Sequence, residues 1–213
     1  TYRELDELSN QFANYLIQKK GVKPRDLACL ILDRSEWLII GMMGIMKTGA
    51  AYVPVDPNYP EKRKEYIKND SNCNITVDAA AIEEFKATKA SFTTAPLTGV
   101  VLLPNDLIYI IYTSGTTGSP KFVRQSYKNI ISNTRSVLKY LPINANDLTI
   151  TTLPISYTYG MSIINTSLSV GAKIIITNSS IAQKEFWDLF NQYKISVLNG
   201  IPYTYEVLKK LNF

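Results

Sequence analysis

Short apolar runs alternate with amphipathic segments along the whole chain, and this alternation most constrains its fold. The apolar runs predict strands at residues 27–32, 51–55, 74–77, 107–112, 122–124, 148–153, 173–177 and 195–198. Helical periodicity lies between them, at residues 1–20, 35–47, 61–69, 79–87, 126–140, 161–168, 183–193 and 202–211. Residues 88–104 are predicted to be a loop. Because such alternation is typical of parallel sheets, we expect an α/β fold with mostly parallel sheets and helices on both faces.

Local signals mark where the first helices begin and end. Thr1 and Glu4 have the spacing of a capping box, and Gly21 follows a pair of lysines, which is a typical helix end. Pro60 sets the backbone angle for the first turn of the helix that follows it. These signals fix helix ends independently of the apolar pattern.

The residue types that are missing exclude several kinds of chemistry. The chain has 213 residues and no histidine, which excludes Ser-His-Asp and Cys-His mechanisms and His-ligated metals. Its two cysteines, Cys29 and Cys73, form no Cys-x-x-Cys motif, so neither a disulfide framework nor a zinc cluster is indicated. We predict no protein metal site, and this cysteine usage fits a reducing compartment such as the cytoplasm.

Charge and hydropathy exclude two classes of partner. The net charge is +5, but the basic residues are scattered, so we expect solvated faces and no nucleic-acid surface. The most apolar run, residues 37–46, is too short to span a bilayer and suits a buried helix.

A loop rich in glycine and hydroxyl groups follows the apolar strand at 107–112. Residues 112–121 read Tyr-Thr-Ser-Gly-Thr-Thr-Gly-Ser-Pro-Lys. Glycines let backbone N–H groups approach an anion, the hydroxyls add donors, and the lysine adds a full positive charge. The carboxyl edge of a parallel sheet is also where α/β folds bind ligands. We therefore predict that the ATP phosphates are bound by Thr113, Ser114, Gly115, Thr116, Thr117, Gly118 and Lys121.

The residue types of this loop also fit two other kinds of segment less closely. The same composition is typical of a flexible surface loop. A P-loop nucleotide hydrolase is disfavoured, because two residues separate Gly115 from Gly118 where a Walker A motif has four, and Lys121 comes three residues later.

All ten positions of residues 112–121 resemble the signature loop of the adenylate-forming superfamily. This superfamily contains acyl-CoA synthetases, luciferases and the adenylation domains of nonribosomal peptide synthetases. Residues 1–5 resemble the opening of its first helix, and residues 47–60 are similar to a second motif of peptide-synthetase adenylation domains, which bears on the fold. The resemblance implies that residues 1–213 are an incomplete N-terminal part of the core of an adenylation domain.

The resemblance also places the acid-binding pocket. Residues 154–160 match a segment with an aromatic residue that shapes the pocket, which puts Tyr157, Thr158 and Gly160 there. Amino-acid-activating relatives carry Asp at the position of Thr158, and an uncharged Thr pairs poorly with an ammonium group in a dry pocket. We therefore expect an acyl or aryl acid. Gly200 is expected near the same pocket, although Tyr157 also suits packing and Gly200 a plain turn.

The implied reaction joins a carboxylic acid to AMP, with ATP and Mg²⁺, and releases pyrophosphate. The acyl group would then pass to a thiol of coenzyme A or of a carrier protein's phosphopantetheine. The segments that bind adenine, ribose and magnesium, and the small C-terminal domain with its catalytic lysine, are expected beyond Phe213, so no catalytic residue is assigned. We expect the chain alone to be nearly inactive. The alternative is a truncated, non-catalytic nucleotide-binding module.

Overall fold

The computed structural model describes residues 1–113 and 121–210. The chain divides into two compact units, Thr1–Ile130 and Ile131–Phe213. In the first unit, the strands are β1 (Leu27–Ile31), β2 (Ala51–Pro54), β3 (Ile75–Asp78), β4 (Leu107–Thr113) and β5 (Lys121–Ser126). Its helices are α1 (Tyr2–Lys20), α2 (Glu36–Lys47), α3 (Glu61–Asp70) and α4 (Ala79–Thr88), and the division between the units falls within α5 (Tyr127–Tyr140).

The second unit continues the alternation. Its strands are β6 (Leu148–Thr151), β7 (Lys173–Ile176) and β8 (Val197–Leu198). Its helices are α6 (Thr158–Val170), α7 (Lys184–Tyr193) and α8 (Pro202–Lys210).

The signals at both ends of α1 act as predicted. The hydroxyl oxygen of Thr1 accepts the Glu4 N–H at 3.3 Å, and the Glu4 side chain reaches back to the Thr1 backbone, which completes the capping box. Gly21 ends the helix in the left-handed conformation, with φ of 69°. Pro60 immediately precedes α3, also as predicted.

The first unit contains a five-stranded sheet in the order β3-β1-β2-β4-β5. Strands β1 to β4 run parallel, which confirms the mostly parallel sheet, whereas β5 pairs antiparallel with β4. The register of this last pair shifts between Leu107 and Tyr109, where two residues of β4 oppose one residue of β5. Because β1 to β4 are parallel, their carboxyl ends all lie at one edge of the sheet.

Helices cover both faces of this sheet. On one face, Ile67 of α3 packs into a core with Cys29 and Val53. On the other, Gly41 of α2 lies so close to Leu30 of β1 that an added Cβ would be 2.9 Å from its terminal methyl. Both faces are therefore buried, as parallel sheets require.

Aromatic rings join the helices on the α2 side. Phe12 of α1 meets Phe85 of α4 edge-on at 5.0 Å between ring centroids, and Tyr15 lies 5.5 Å from Phe12. All three side chains are fully buried. This cluster fixes α1 and α4 over the sheet.

The second unit is built on a three-stranded parallel sheet in the order β7-β6-β8. On one side, Ile150 of β6 packs with Phe186 of α7 and Leu208 of α8. Helix α6 contacts β6 through Ser167, whose hydroxyl donates to Thr149 at 3.3 Å.

Some predicted boundaries are wrong by a few residues. Helix α6 begins at Thr158, three residues earlier than predicted, because its first turn lacks the apolar side chains that marked 161–168. Strand β6 ends at Thr151, and the Thr151 hydroxyl then accepts the Leu153 N–H at 3.2 Å. The predicted loop at 88–104 contains a short 3₁₀ turn at Lys89–Ser91.

Among the described residues, every helix is too short or too polar to cross a bilayer.

Substituting Gly44 with Ala should destabilise the chain. An added Cβ would lie 2.5 Å from a ring carbon of Phe12, which is fully buried and held by other aromatic rings. Overpacking costs about 1–3 kcal/mol, and Ala recovers about 1 kcal/mol of helix propensity. We expect Gly44→Ala to lower the free energy of unfolding in urea by up to about 2 kcal/mol. Gly41→Ala is the matched control, because the methyl of Leu30 moves more easily than a clustered ring; an equal effect of both variants would contradict this account.

Candidate functional site

The hairpin of β4 and β5 holds together the two ends of the predicted phosphate loop. Thr113 pairs with Lys121 across the strands, and the Thr113 hydroxyl donates to the Lys121 carbonyl at 3.2 Å. Both side chains are exposed at the sheet edge that carries the carboxyl ends of β1 to β4. The structure therefore brings together two of the predicted phosphate-binding residues.

The other five residues of this prediction lie outside the described part of the chain: Ser114, Gly115, Thr116, Thr117 and Gly118. Within residues 1–113 and 121–210, the Lys121 ammonium pairs with no carboxylate. Its charge is therefore available to an anion.

The first turn of α6 carries the residues predicted to line the acid pocket. Tyr157 is the N-cap residue, in an extended conformation, and its side chain makes no capping hydrogen bond to the described part of the helix. Its side chain is 64% exposed, which argues against a packing role. Thr158 is the first helical residue and is also exposed. Free backbone N–H groups at a helix start favour oxygen acceptors and negative charge.

Gly160 is placed differently from its neighbours. It is buried, and a Cβ at this position would clash with the carbonyl oxygen of Pro154. The Tyr157 N–H also donates to that carbonyl at 3.2 Å. Gly160 therefore lets α6 start close against the preceding loop, which positions Tyr157 and Thr158.

Gly200 lies beside the first turn of α6. Burial raises the pKa of Tyr159 most, Tyr205 raises it further, and the nearby backbone of Gly200 lowers it in part. An added Cβ at Gly200 would lie 2.7 Å from Thr204, so the backbone is also tight against α8. The structure thus brings two predicted pocket segments together, and the sequence analysis missed Tyr159.

Two further polar groups escaped the sequence analysis. The hydroxyl of Ser156 and the amide nitrogen of Asn199 are buried and have no hydrogen-bond partner among the described residues. Ser156 follows β6, Asn199 follows β8, and these strands are neighbours. A buried polar group without a partner costs about 1–3 kcal/mol, so such groups often mark binding sites. The sequence offered one signal for each: Ser156 lies within the segment 154–160, and Asn199 directly precedes Gly200.

Removing the Asn199 amide should not destabilise the chain. Leu has a similar shape and no donor to leave unsatisfied, so we expect Asn199→Leu to keep the free energy of unfolding or raise it by up to about 1 kcal/mol. The matched control is Asn10→Leu, because the buried Asn10 amide donates to the Thr94 carbonyl at 2.8 Å. Denaturant unfolding of both variants checks this; equal destabilisation would contradict the assignment.

Comparison with known proteins gives one consistent result. The sequence profile of the family described as "AMP-binding enzyme" matches residues 1–213. The chain is 32% identical over 212 residues to bacitracin synthase 2 of Bacillus licheniformis and 36% identical over 211 residues to gramicidin S synthase 2 of Brevibacillus brevis. These matches cover 95% and 93% of the chain, but only 8% and 5% of the two synthases.

Solved structures share the fold at lower identity. The N-terminal domain of FACL13 from Mycobacterium tuberculosis superposes with a TM-score of 0.86 at 20% identity, covering 98% of this chain and 57% of that one. ATP-bound MatB from Rhodopseudomonas palustris gives a TM-score of 0.84 at 24% identity, covering 97% of this chain and 45% of that one. These likenesses confirm the predicted fold class.

Proposed function

Because the chain belongs to the AMP-binding enzyme family, we propose that it is the N-terminal part of the core of an adenylation domain that activates a carboxylic acid with ATP. The observation that carries this proposal is the loop at 112–121. All ten of its positions match the family's signature, and its ends, Thr113 and Lys121, are paired at the carboxyl edge of the sheet. The chain spans less than a tenth of the synthases it matches, so the remaining parts of the site would come from a longer protein.

In this proposal, the loop binds the β- and γ-phosphates of ATP. The residues we assign are Thr113, Ser114, Gly115, Thr116, Thr117, Gly118 and Lys121. Hydroxyl and backbone N–H donors suit phosphate oxygens. The exposed ammonium of Lys121, which pairs with no carboxylate in the described part of the chain, supplies positive charge. Mg²⁺, when bound together with ATP, would neutralise part of the negative charge of the phosphates.

The chemistry is a displacement at the α-phosphorus of ATP. A carboxylate oxygen of the acid bonds to this phosphorus, the bond to the β-phosphate oxygen breaks, and pyrophosphate leaves with its electron pair. Little covalent work falls to the protein, which holds the phosphates and the acid in line and stabilises the developing charge.

The acid-binding part of the proposal rests on the second unit. Tyr157 and Thr158 are exposed at the start of α6. Gly160 allows the close approach to Pro154 that positions them, and Gly200 lies tight against Thr204. Thr158 carries no charge, which disfavours an ammonium group and favours an acyl or aryl acid. The buried donors of Ser156 and Asn199, which lack a partner within residues 1–113 and 121–210, would suit an oxygen atom on that acid.

The proposal also includes transfer of the acyl group to a thiol and a location in a reducing compartment. The acyl group would pass from AMP to a thiol of coenzyme A or of a carrier protein. Both cysteines are free and buried, which suits a reducing compartment such as the cytoplasm. The 213-residue chain alone would bind ATP weakly and turn over little. The alternative, a non-catalytic nucleotide-binding module, predicts ATP binding without acid-dependent chemistry.

Acid-dependent exchange of pyrophosphate into ATP tests the reaction. We expect exchange when the longer protein is given a panel of fatty, aryl and amino acids. Joint substitution of Lys121 and Ser114 by Ala should reduce exchange by about 100-fold or more, because it removes charge and a donor from the phosphates. Lys139→Ala, at an exposed site on α5, is the control. Exchange that survives the double substitution would refute the phosphate assignment, and silence across the panel would favour the non-catalytic module.

Thr158 offers a test of the acid class. A carboxylate at this position should repel the carboxylate of an acid that has no ammonium group and attract an ammonium group, while suiting the start of a helix. We expect Thr158→Asp to reduce exchange with the preferred acid by about tenfold or more and to improve relative exchange with amino acids. Thr158→Val, which adds no charge, should keep the original preference. Exchange by the unaltered protein only with amino acids would contradict the acid class.

A further inference from the structure

Tyr112 lies at the point where the apolar part of β4 meets the proposed phosphate loop. It directly precedes Thr113, and its phenol donates a hydrogen bond to a carboxylate oxygen of Asp70 at 2.7 Å. Asp70 is the last residue of α3. The entrance to the loop is therefore tied to a helix that is distant in sequence.

The ring of Tyr112 extends this contact to the other end of the loop. Tyr66 of α3 meets Tyr112 edge-on, with ring centroids 6.4 Å apart and planes at 81°. On the other side, Tyr112 lies 6.0 Å from Phe122, its partner across the hairpin. Because Phe122 follows Lys121, this row of rings links α3 to both ends of the segment 114–120.

Helix α3 is itself a fixed support. Ile67, one turn before Asp70, is buried between the helix and the sheet with Cys29 and Val53. The helix therefore holds the Asp70 carboxylate in place relative to the sheet.

The hydrogen bond persists across the working pH range. Burial, and then the neighbouring Asp70 carboxylate, hold the pKa of Tyr112 well above its ordinary value. The phenol therefore stays protonated and acts as a donor to Asp70.

We propose that Asp70 is a positioning residue for ATP binding, which acts through the phenol of Tyr112 to fix Thr113 and Lys121 against α3. This inference rests on the proposed function of the loop. Asp70 does not contact the nucleotide in this account. Removing the Asp70 carboxylate should lower the affinity for ATP. The affinity for the acid should not change, because the predicted pocket residues lie in the other unit.

The test compares ATP affinity with acid affinity in matched variants. Both measurements use the longer protein. Titration calorimetry gives the Kd of Mg-ATP, and kinetics of pyrophosphate exchange give kcat and the KM for ATP and for the acid. Tyr112→Phe removes only the hydroxyl, Asp70→Ala removes the acceptor, and Asp70→Asn keeps an acceptor oxygen. Tyr140→Phe removes the same group at an exposed site on α5 and serves as the control.

We expect Tyr112→Phe and Asp70→Ala each to raise the Kd and KM for ATP about fivefold, the size of one net hydrogen bond. The KM for the acid should hardly change, and the thermal midpoint should fall by no more than about 2–4 °C, since one hydrogen bond is lost. Asp70→Asn should restore most of the affinity, and the double variant should be no worse than either single variant, because both remove one interaction.

The inference would be overturned if the variants bound ATP as tightly as the unaltered protein, or if the effects of Tyr112→Phe and Asp70→Ala on the Kd were additive. It would also be overturned if the KM values for ATP and for the acid rose equally while the thermal midpoint fell by more than about 4 °C, since that is the mark of a general loss of structure. ATP binding without acid-dependent exchange would refute the proposed reaction and leave the comparison of Kd values decisive for Asp70. No ATP binding by the unaltered protein would overturn both proposals.

Discussion

The antiparallel pairing of β4 with β5 is the contact on which the proposed phosphate site depends. A short loop can join two neighbouring strands only if they are antiparallel. Because β5 runs antiparallel to β4, Thr113 lies opposite Lys121. The extra residue in β4 adds a second effect. It shifts the alternation of side chains, so that both Leu107 and Tyr112 face the core under α3. Tyr112 therefore reaches α3 at the entrance to the loop.

In the second unit, two glycines allow close backbone contacts near the candidate pocket residues. Gly160 and Gly200 permit two close approaches, one against the Pro154 carbonyl and one against Thr204. The first contact sets where α6 starts, and the second shapes the turn between β8 and α8. The buried donors of Ser156 and Asn199 lower stability unless a ligand or water satisfies them. We therefore infer that a polar side chain is present at positions 156 and 199 for ligand binding and not for packing.

The sequence predicted the fold more completely than the site. Apolar runs and caps located the strands and helices, because burial and backbone satisfaction leave a local pattern, as at Thr1 and Gly21. The start of α6 was missed because its first turn is not apolar. The unpaired donor of Asn199 and the bond between Tyr112 and Asp70 could not be predicted, since both depend on which distant segments meet. The loop at 112–121 was found through its motif.

The central claim is that a carboxylate oxygen attacks the α-phosphorus of ATP. Transfer of heavy oxygen tests it most directly. The longer protein would be given its acid labelled with ¹⁸O in the carboxylate, ATP and a thiol acceptor, and the AMP would be analysed by mass spectrometry. An acyl-adenylate leaves one carboxylate oxygen on the phosphate, so this account predicts AMP that carries one ¹⁸O atom. Unlabelled AMP, or ADP and labelled inorganic phosphate, would contradict it.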